Sequence, residues 1–314
     1  MHFHGKGLSH IIPKYTSVLL LTLLYMVLSP PVAWPLYSWV LFRPDHRILD
    51  VSQQVQQIEQ SSTATQHDIV FPSRNGKWLH GWLFELPNTK RVFLVSEGKG
   101  GNIYHRLNQA RTLLKCGGSV FQYDYEGYGQ SQGTPSLDAV CDDATAAYDY
   151  LIQHEHKTSK DIIAFGDSFG CGVTGQLVQR RQVSAVILQS GFSTLLRAGR
   201  DTLPWLWLYP DSFFPDQTMD NIAVFSKPHP PLMIIHGTSD RIVQFHNAQE
   251  LFRRAIEPKT IMIVPGGDHG CFGTGNQFRD AVEKLLSTPI RNVVTRLGLR
   301  TRQAAHTMQT LQSS

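Results

Sequence analysis

Three side chains, Ser168, Asp240 and His269, place a hydroxyl, a carboxylate and an imidazole along the chain in that order. A serine hydroxyl is a weak nucleophile at neutral pH. It attacks a carbonyl when a base takes its proton, and the base in turn is oriented by an acid. Ser168 sits at the centre of Gly166-Asp-Ser-Phe-Gly170, Asp240 closes His236-Gly-Thr-Ser-Asp240, and His269 follows Pro265-Gly-Gly-Asp268. Each has a plainer reading when taken alone: a glycine-rich turn, a cap on the next helix or turn, an ordinary loop histidine. Asp268 is a rival acid, but a residue adjacent to His269 points away from its ring. His236 ends an apolar run and reads as a satisfied structural group. Cys171 falls inside the helix after the serine, where packing is its expected role.

The elements around these residues decide between the readings. Short apolar runs at Arg91-Val-Phe-Leu-Val95, Ser119-Val-Phe-Gln-Tyr123, Asp161-Ile-Ile-Ala-Phe165, Ala185-Val-Ile-Leu-Gln189, Pro231-Leu-Met-Ile-Ile-His236 and Thr260-Ile-Met-Ile-Val264 read as strands of a mainly parallel sheet buried on both faces. Two earlier strands, 67–73 and 78–86, are joined by the turn Arg74-Asn-Gly76. Helical patterns at 103–115, 137–154, 169–180, 247–256 and 276–286 alternate with the strands. The expected fold is therefore one α/β domain over 67–288 with helices on both faces of an open sheet. In such a sheet, ligands bind beyond the carboxyl ends of the strands, and Ser168, Asp240 and His269 each follow a strand directly. A serine on a tight strand-to-helix turn needs small residues on both sides, which Gly166 and Gly170 provide.

Acyl transfer also needs donors for the developing oxyanion. The expected donors are the backbone N–H groups of Phe169, next to the nucleophile, and of Lys99, in the glycine-rich loop Ser96-Glu-Gly-Lys-Gly-Gly-Asn102. That loop lacks the GxxxxGK[ST] and GxGxxG patterns of a phosphate cradle. A long connection, 191–230, carries five prolines and many aromatic residues and reads as a lid. Trp205, Trp207 and Phe213 are its candidates for lining an acyl pocket.

Composition narrows the partners. A net charge of +4 over 314 residues, with scattered Lys and Arg, gives no footprint for nucleic acid. Cys116, Cys141, Cys171 and Cys271 lack the spacing of a zinc site and read as buried small side chains, with a disulfide left open by their even number. No metal or organic cofactor is expected. Within the N-terminal segment 1–50 nothing charged occurs between Lys14 and Arg43, and the apolar stretch 15–42, interrupted by Ser29-Pro-Pro31, is long enough to span a bilayer. A membrane anchor is the preferred reading over a cleaved signal and a buried core helix, with orientation unassigned. Residues 51–66 read as a linker helix and 289–314 as a polar tail.

At these residues the chain resembles α/β-hydrolase-fold serine hydrolases of the membrane-associated ABHD13-, ABHD17- and Bem46-like group. The resemblance runs over about 70–286. It rests on Tyr123-Asp-Tyr-Glu-Gly-Tyr-Gly-Gln-Ser-Gln-Gly-Thr-Pro-Ser136, the turn at Ser168, His236-Gly-Thr-Ser-Asp240 and Gly267-Asp-His269. It implies a Ser168–His269–Asp240 triad and hydrolysis of an ester or thioester, while a membrane anchor beside an apolar lid adds lipid or acyl-protein substrates to small-molecule esters. One departure stands out. Where the group has His-Gly-Asn-Ala-Gly-Asn, this chain has Glu97-Gly-Lys-Gly-Gly-Asn102, which puts a carboxyl and a cation beside the expected oxyanion donors. The alternatives are a peptidase of the same fold, or a catalytically silent relative that serves as a binding protein.

Overall fold

The computed structural model describes residues 11–215, 219–274 and 276–287, so the expected tail 289–314 lies outside the described residues. The chain opens with three helices, α1 (Ile11–Val27), α2 (Pro30–Phe42) and α3 (Ser52–Ser62). A hairpin follows, β1 (Thr65–Pro72) and β2 (Trp78–Glu85), turned by Gly76 at φ +81°, a conformation that glycine adopts without strain. The remaining strands and helices alternate: β3 (Val92–Ser96), α4 (Leu107–Leu114), β4 (Ser119–Tyr123), α5 (Leu137–Gln153), β5 (Ile162–Asp167), α6 (Gly170–Arg180) and β6 (Ala185–Gln189). Two short helices, α7 (Leu195–Thr202) and α8 (Asn221–Phe225), precede β7 (Leu232–Gly237), α9 (His246–Arg254), β8 (Lys259–Val264) and α10 (Gln277–Ser287).

The eight strands form one sheet in the order β1-β2-β4-β3-β5-β6-β7-β8, antiparallel at β1, β2 and β4 and parallel from β4 onward. Every residue of β3 to β7 is buried, which explains their continuous apolar runs: with helices on both faces, neither side of the strand meets water. The period-2 alternation sends Val92 and Leu94 into a core with α5, α6, α8 and α9, and Phe93 and Val95 into a second core with α3, α4 and α10. Helix starts are set by side chains that accept from orphan backbone N–H groups: Ser136 from Ala139, Thr194 from Arg197, and Asp220 from Ala223. All four cysteines are free, and Cys116, Cys141 and Cys171 are buried.

The N-terminal apolar stretch is not one continuous helix. Prolines 30 and 31 offer no N–H to the preceding turn, so the helical ladder stops at Val27, and α2 leaves at 57° to the 15–27 segment. The carbonyl of Leu28, freed by this break, accepts from the Tyr37 hydroxyl at 2.7 Å. Among the described residues no single helix is long and apolar enough to cross a membrane; the bent pair meets that length and composition only when taken together.

Candidate active site

The turn between β5 and α6 places Ser168 at φ +52°, a left-handed conformation that non-glycine residues adopt only when the surroundings impose it. The surroundings here are tight. A Cβ on Gly166 would lie 2.7 Å from the Cα of Cys171, and one on Gly170 would lie 1.9 Å from the carbonyl oxygen of Ser96 on β3. Both glycines are thus required for the turn to pack against its neighbours. The Ser168 N–H donates to the Gln189 carbonyl at 2.8 Å, and the Ser168 carbonyl accepts from Cys171, the start of α6.

His269 Nε2 lies 3.0 Å from Ser168 Oγ, and His269 Nδ1 lies 2.8 Å from Asp240 Oδ2. The loop carrying His269 is fixed on both sides. Gly270 N–H donates to Ser190 Oγ, and the Gln189 side-chain amide donates to the carbonyls of Gly270 and Cys271. Asp240 also accepts through Oδ1 from the N–H groups of Ile242 and Val243, so it caps the next turn and orients the imidazole at once. Asp268, the rival acid, is exposed. His236 is fully buried; its Nε2 donates to the Val243 carbonyl at 2.7 Å and lies 3.3 Å from Asp240 Oδ2. Burial alone would raise the Asp240 pKa, but hydrogen bonds from His236 and His269 outweigh it and hold the carboxyl well below the usual range. The arrangement can pass a proton from a serine hydroxyl to an imidazole whose other nitrogen faces a carboxylate. Cys171 is buried, with Sγ against the carbonyls of Gly166 and Gln189, in keeping with its packing role.

The loop after β3 crosses directly above the turn. A Cβ on Gly98 would sit 3.2 Å from Asp167 Oδ2 and 3.3 Å from Ser168 Cβ, so a larger residue there would push against the turn. Neither the Phe169 nor the Lys99 N–H makes a backbone hydrogen bond among the described residues, whereas the Gly100 N–H is taken by the Phe42 carbonyl. Glu97 does not pair with Lys99. It is buried on the other side of the loop, where it accepts from the Gln122 amide at 2.7 Å and lies 3.8 Å from Arg106 Nε. Burial pushes its pKa up to about 8, against the attraction of Arg106 and with the repulsion of Asp167. Asp167, also buried and raised by burial, has Oδ2 3.9 Å from Arg106 Nη1. Arg106 in turn donates to the Gly100 carbonyl at 2.9 Å. The loop is further held by Tyr125, whose hydroxyl donates to the Glu97 carbonyl. This Glu97–Arg106–Asp167 group escaped the sequence reading; an acid on each of the two glycine-rich loops was its only signal.

Ser168, Phe169 and Lys99 line a cavity of about 470 Å³. The three aromatic residues expected to line it, Trp205, Trp207 and Phe213, do not. They belong to 3-10 turns at Pro204–Leu208 and Asp211–Phe213 and lie on the outside: Trp205 donates to the Tyr37 hydroxyl, and Trp207 stacks beneath the guanidinium groups of Arg197 and Arg200. The walls are mainly apolar, formed by Leu195 and its neighbours on α7, Phe192, Leu206, Met219 and residues of α2, with Thr194, Asp201, Arg241 and Gln244 as polar members. Among the described residues, no group of three or more His, Cys, Asp or Glu is arranged to hold a metal ion.

Residues 124–287, just over half of the chain, match the prolyl oligopeptidase family. The chain belongs to this family of α/β-hydrolases. An uncharacterised protein of Mycobacterium tuberculosis, MT2364, is 32% identical over 226 residues, covering 70% of this chain and 79% of its own. The α/β-hydrolase domain-containing protein WAV2 of Arabidopsis thaliana is 31% identical, over 64% of this chain and 71% of that protein. The human α/β-hydrolase domain-containing protein 17B is 27% identical, over 66% and 70%. The Pyrococcus furiosus esterase Pf2001 superposes with a TM-score of 0.61 over 78% of this chain and 97% of its own, at 17% identity, a likeness of fold alone. The expected α/β-hydrolase fold is thus the observed one, and the protein is a hydrolase of this fold.

Proposed function

We propose that the protein is a serine hydrolase that cleaves carboxylic esters or thioesters. The observation that carries this reading is the Ser168–His269–Asp240 hydrogen-bond relay opening into an apolar cavity. Ser168 Oγ attacks the carbonyl carbon as its proton passes to His269 Nε2, which Asp240 holds in orientation. The N–H groups of Phe169 and Lys99 receive the oxyanion. His269 then returns the proton to the departing alcohol or thiol, leaving the acyl group on Ser168. A water that gives its proton to His269 attacks this acyl-enzyme, and His269 returns that proton to Ser168 Oγ as the acid departs.

The family's name makes peptide bonds the second reading; the apolar walls favour an acyl chain over a peptide backbone, whose polar groups need partners. The same reading places the N-terminal helix pair in a membrane. Every side chain of 15–27 is exposed and there is no charged residue among them, and a lipid phase is the surrounding that such a helix fits. The test is the purified full chain in detergent micelles, offered p-nitrophenyl butyrate, a butyryl thioester and a peptidyl p-nitroanilide. Turnover of the ester and thioester, lost in Ser168→Ala, is expected. Turnover of the anilide alone would overturn the ester reading.

A further inference from the structure

We propose that α2 is a wall of the substrate site, and that Trp34, Tyr37 and Val40 select the length of the acyl chain it accepts. This rests on the ester-hydrolase reading above. The 470 Å³ cavity that begins at Ser168 is bounded on one side by α7 and Phe192 and on the other by α2, through Pro30, Trp34, Tyr37, Val40 and Leu41. These residues recur three and four apart and so share one face of the helix. At ~1.5 Å per residue, the stretch from Pro30 to Leu41 runs ~16 Å along that face, enough for a long acyl chain and far more than an acetyl group fills.

The end of α2 near the nucleophile is fixed to the reacting centre. The Phe42 carbonyl accepts from the Gly100 N–H at 3.2 Å and from the Tyr128 hydroxyl, and the Phe42 ring meets Phe169 edge-on at 5.7 Å between centroids. Pro44 then pairs with Gly101 in a short parallel bridge. Tyr37, in the middle of α2, and Tyr25, on the preceding α1, are tied to the lid. Trp205 Nε1 donates to the Tyr37 hydroxyl, Tyr209 stacks on Tyr25 of α1 at 4.6 Å, and the Tyr209 hydroxyl donates to the Tyr25 carbonyl. A helix used only as a tether has no reason to share its hydrogen bonds with both the lid and the loop over the nucleophile. Its outward residue Trp39, 66% exposed, marks the opposite side of the same helix and is not part of the cavity wall.

The test uses the full chain in detergent micelles and p-nitrophenyl esters from acetate to palmitate, with kcat/KM measured for each. Val40→Trp narrows the cavity near the Phe42 end of α2 and is expected to lower kcat/KM for the laurate and palmitate at least tenfold more than for the acetate. Trp34→Ala enlarges it and is expected to move the optimum to longer chains; Trp39→Ala is expected to leave the profile unchanged. Retained acetate turnover shows that the altered proteins are folded with the reacting groups in place. If Val40→Trp lowers all esters alike, Trp34→Ala decides: an optimum that does not move overturns the proposal. The proposal also fails if every profile matches the wild type. If the folded wild type turns over none of the esters, it is the ester-hydrolase reading that fails.

Discussion

Glu97 offers a quantitative check on the ground beneath the reacting loop. Its carboxyl is fully buried among Gln122, Gln109 and Arg106, with the charges of Asp167 and Asp124 nearby, and burial pushes it from 4.5 up to about 8. An acid with a higher pKa in the folded than in the unfolded chain holds its proton in the folded state across the gap between the two values. Stability therefore falls as pH rises from about 4.5 and levels off above about 8. At ~1.4 kcal/mol per pH unit, the part of that fall between pH 6 and pH 9 is about 3 kcal/mol. Glu97→Gln keeps the shape and removes the titration. The measurement is thermal unfolding of both proteins at pH 6 and pH 9, followed by circular dichroism in the same detergent. Asp143, raised by burial to about 8, weakens both proteins over this range, so the comparison is the difference between their two drops. The wild type is expected to lose about 5–10 °C more than the variant, at ~2–4 °C per kcal/mol for a domain of this size. Equal drops would refute the idea that a neutral Glu97 supports the loop.

Other consequences are as direct. Asp240→Asn deprives His269 of its carboxylate partner and is expected to lower ester kcat about 1,000- to 10,000-fold with the circular dichroism spectrum unchanged; a loss under tenfold would contradict the relay. Gly170→Ala drives a methyl group into the Ser96 carbonyl and is expected to cost about 3 kcal/mol or more in denaturant unfolding, whereas Gly76→Ala, with open space around it, costs about 1–2 kcal/mol for its backbone angle alone. Of the four thiols, Cys271 alone is not buried, so brief iodoacetamide treatment of the native protein is expected to modify it first, by peptide mass mapping. Labelling of Cys171 before Cys271 would contradict the packing around the turn.

Ser168, Asp240 and His269 were legible in the sequence because buried parallel strands are continuous apolar runs, and the residues that follow them cluster at one edge of the sheet. The glycines flanking Ser168 carried the same message through their size. The Glu97–Arg106–Asp167 group was not legible, since it joins the ends of β3 and β5 to the start of α4, and no local spacing encodes such a meeting. The role of α2 was hidden for another reason. An apolar run reads the same whether its neighbours are lipid or the side chains of a cavity, and the stretch 15–42 therefore reads as a single anchor. The outward placement of Trp205, Trp207 and Phe213 followed from short 3-10 turns, which lack the length to show a periodic face.

The central claim, that Ser168 is an activated nucleophile, is tested most directly by reacting the folded full chain with a fluorophosphonate and mapping the adduct by peptide mass. A single adduct on Ser168, absent in Ser168→Ala and slowed in Asp240→Asn, is the predicted result. A folded wild type that forms no adduct, or a Ser168→Ala variant that labels equally well, would contradict it.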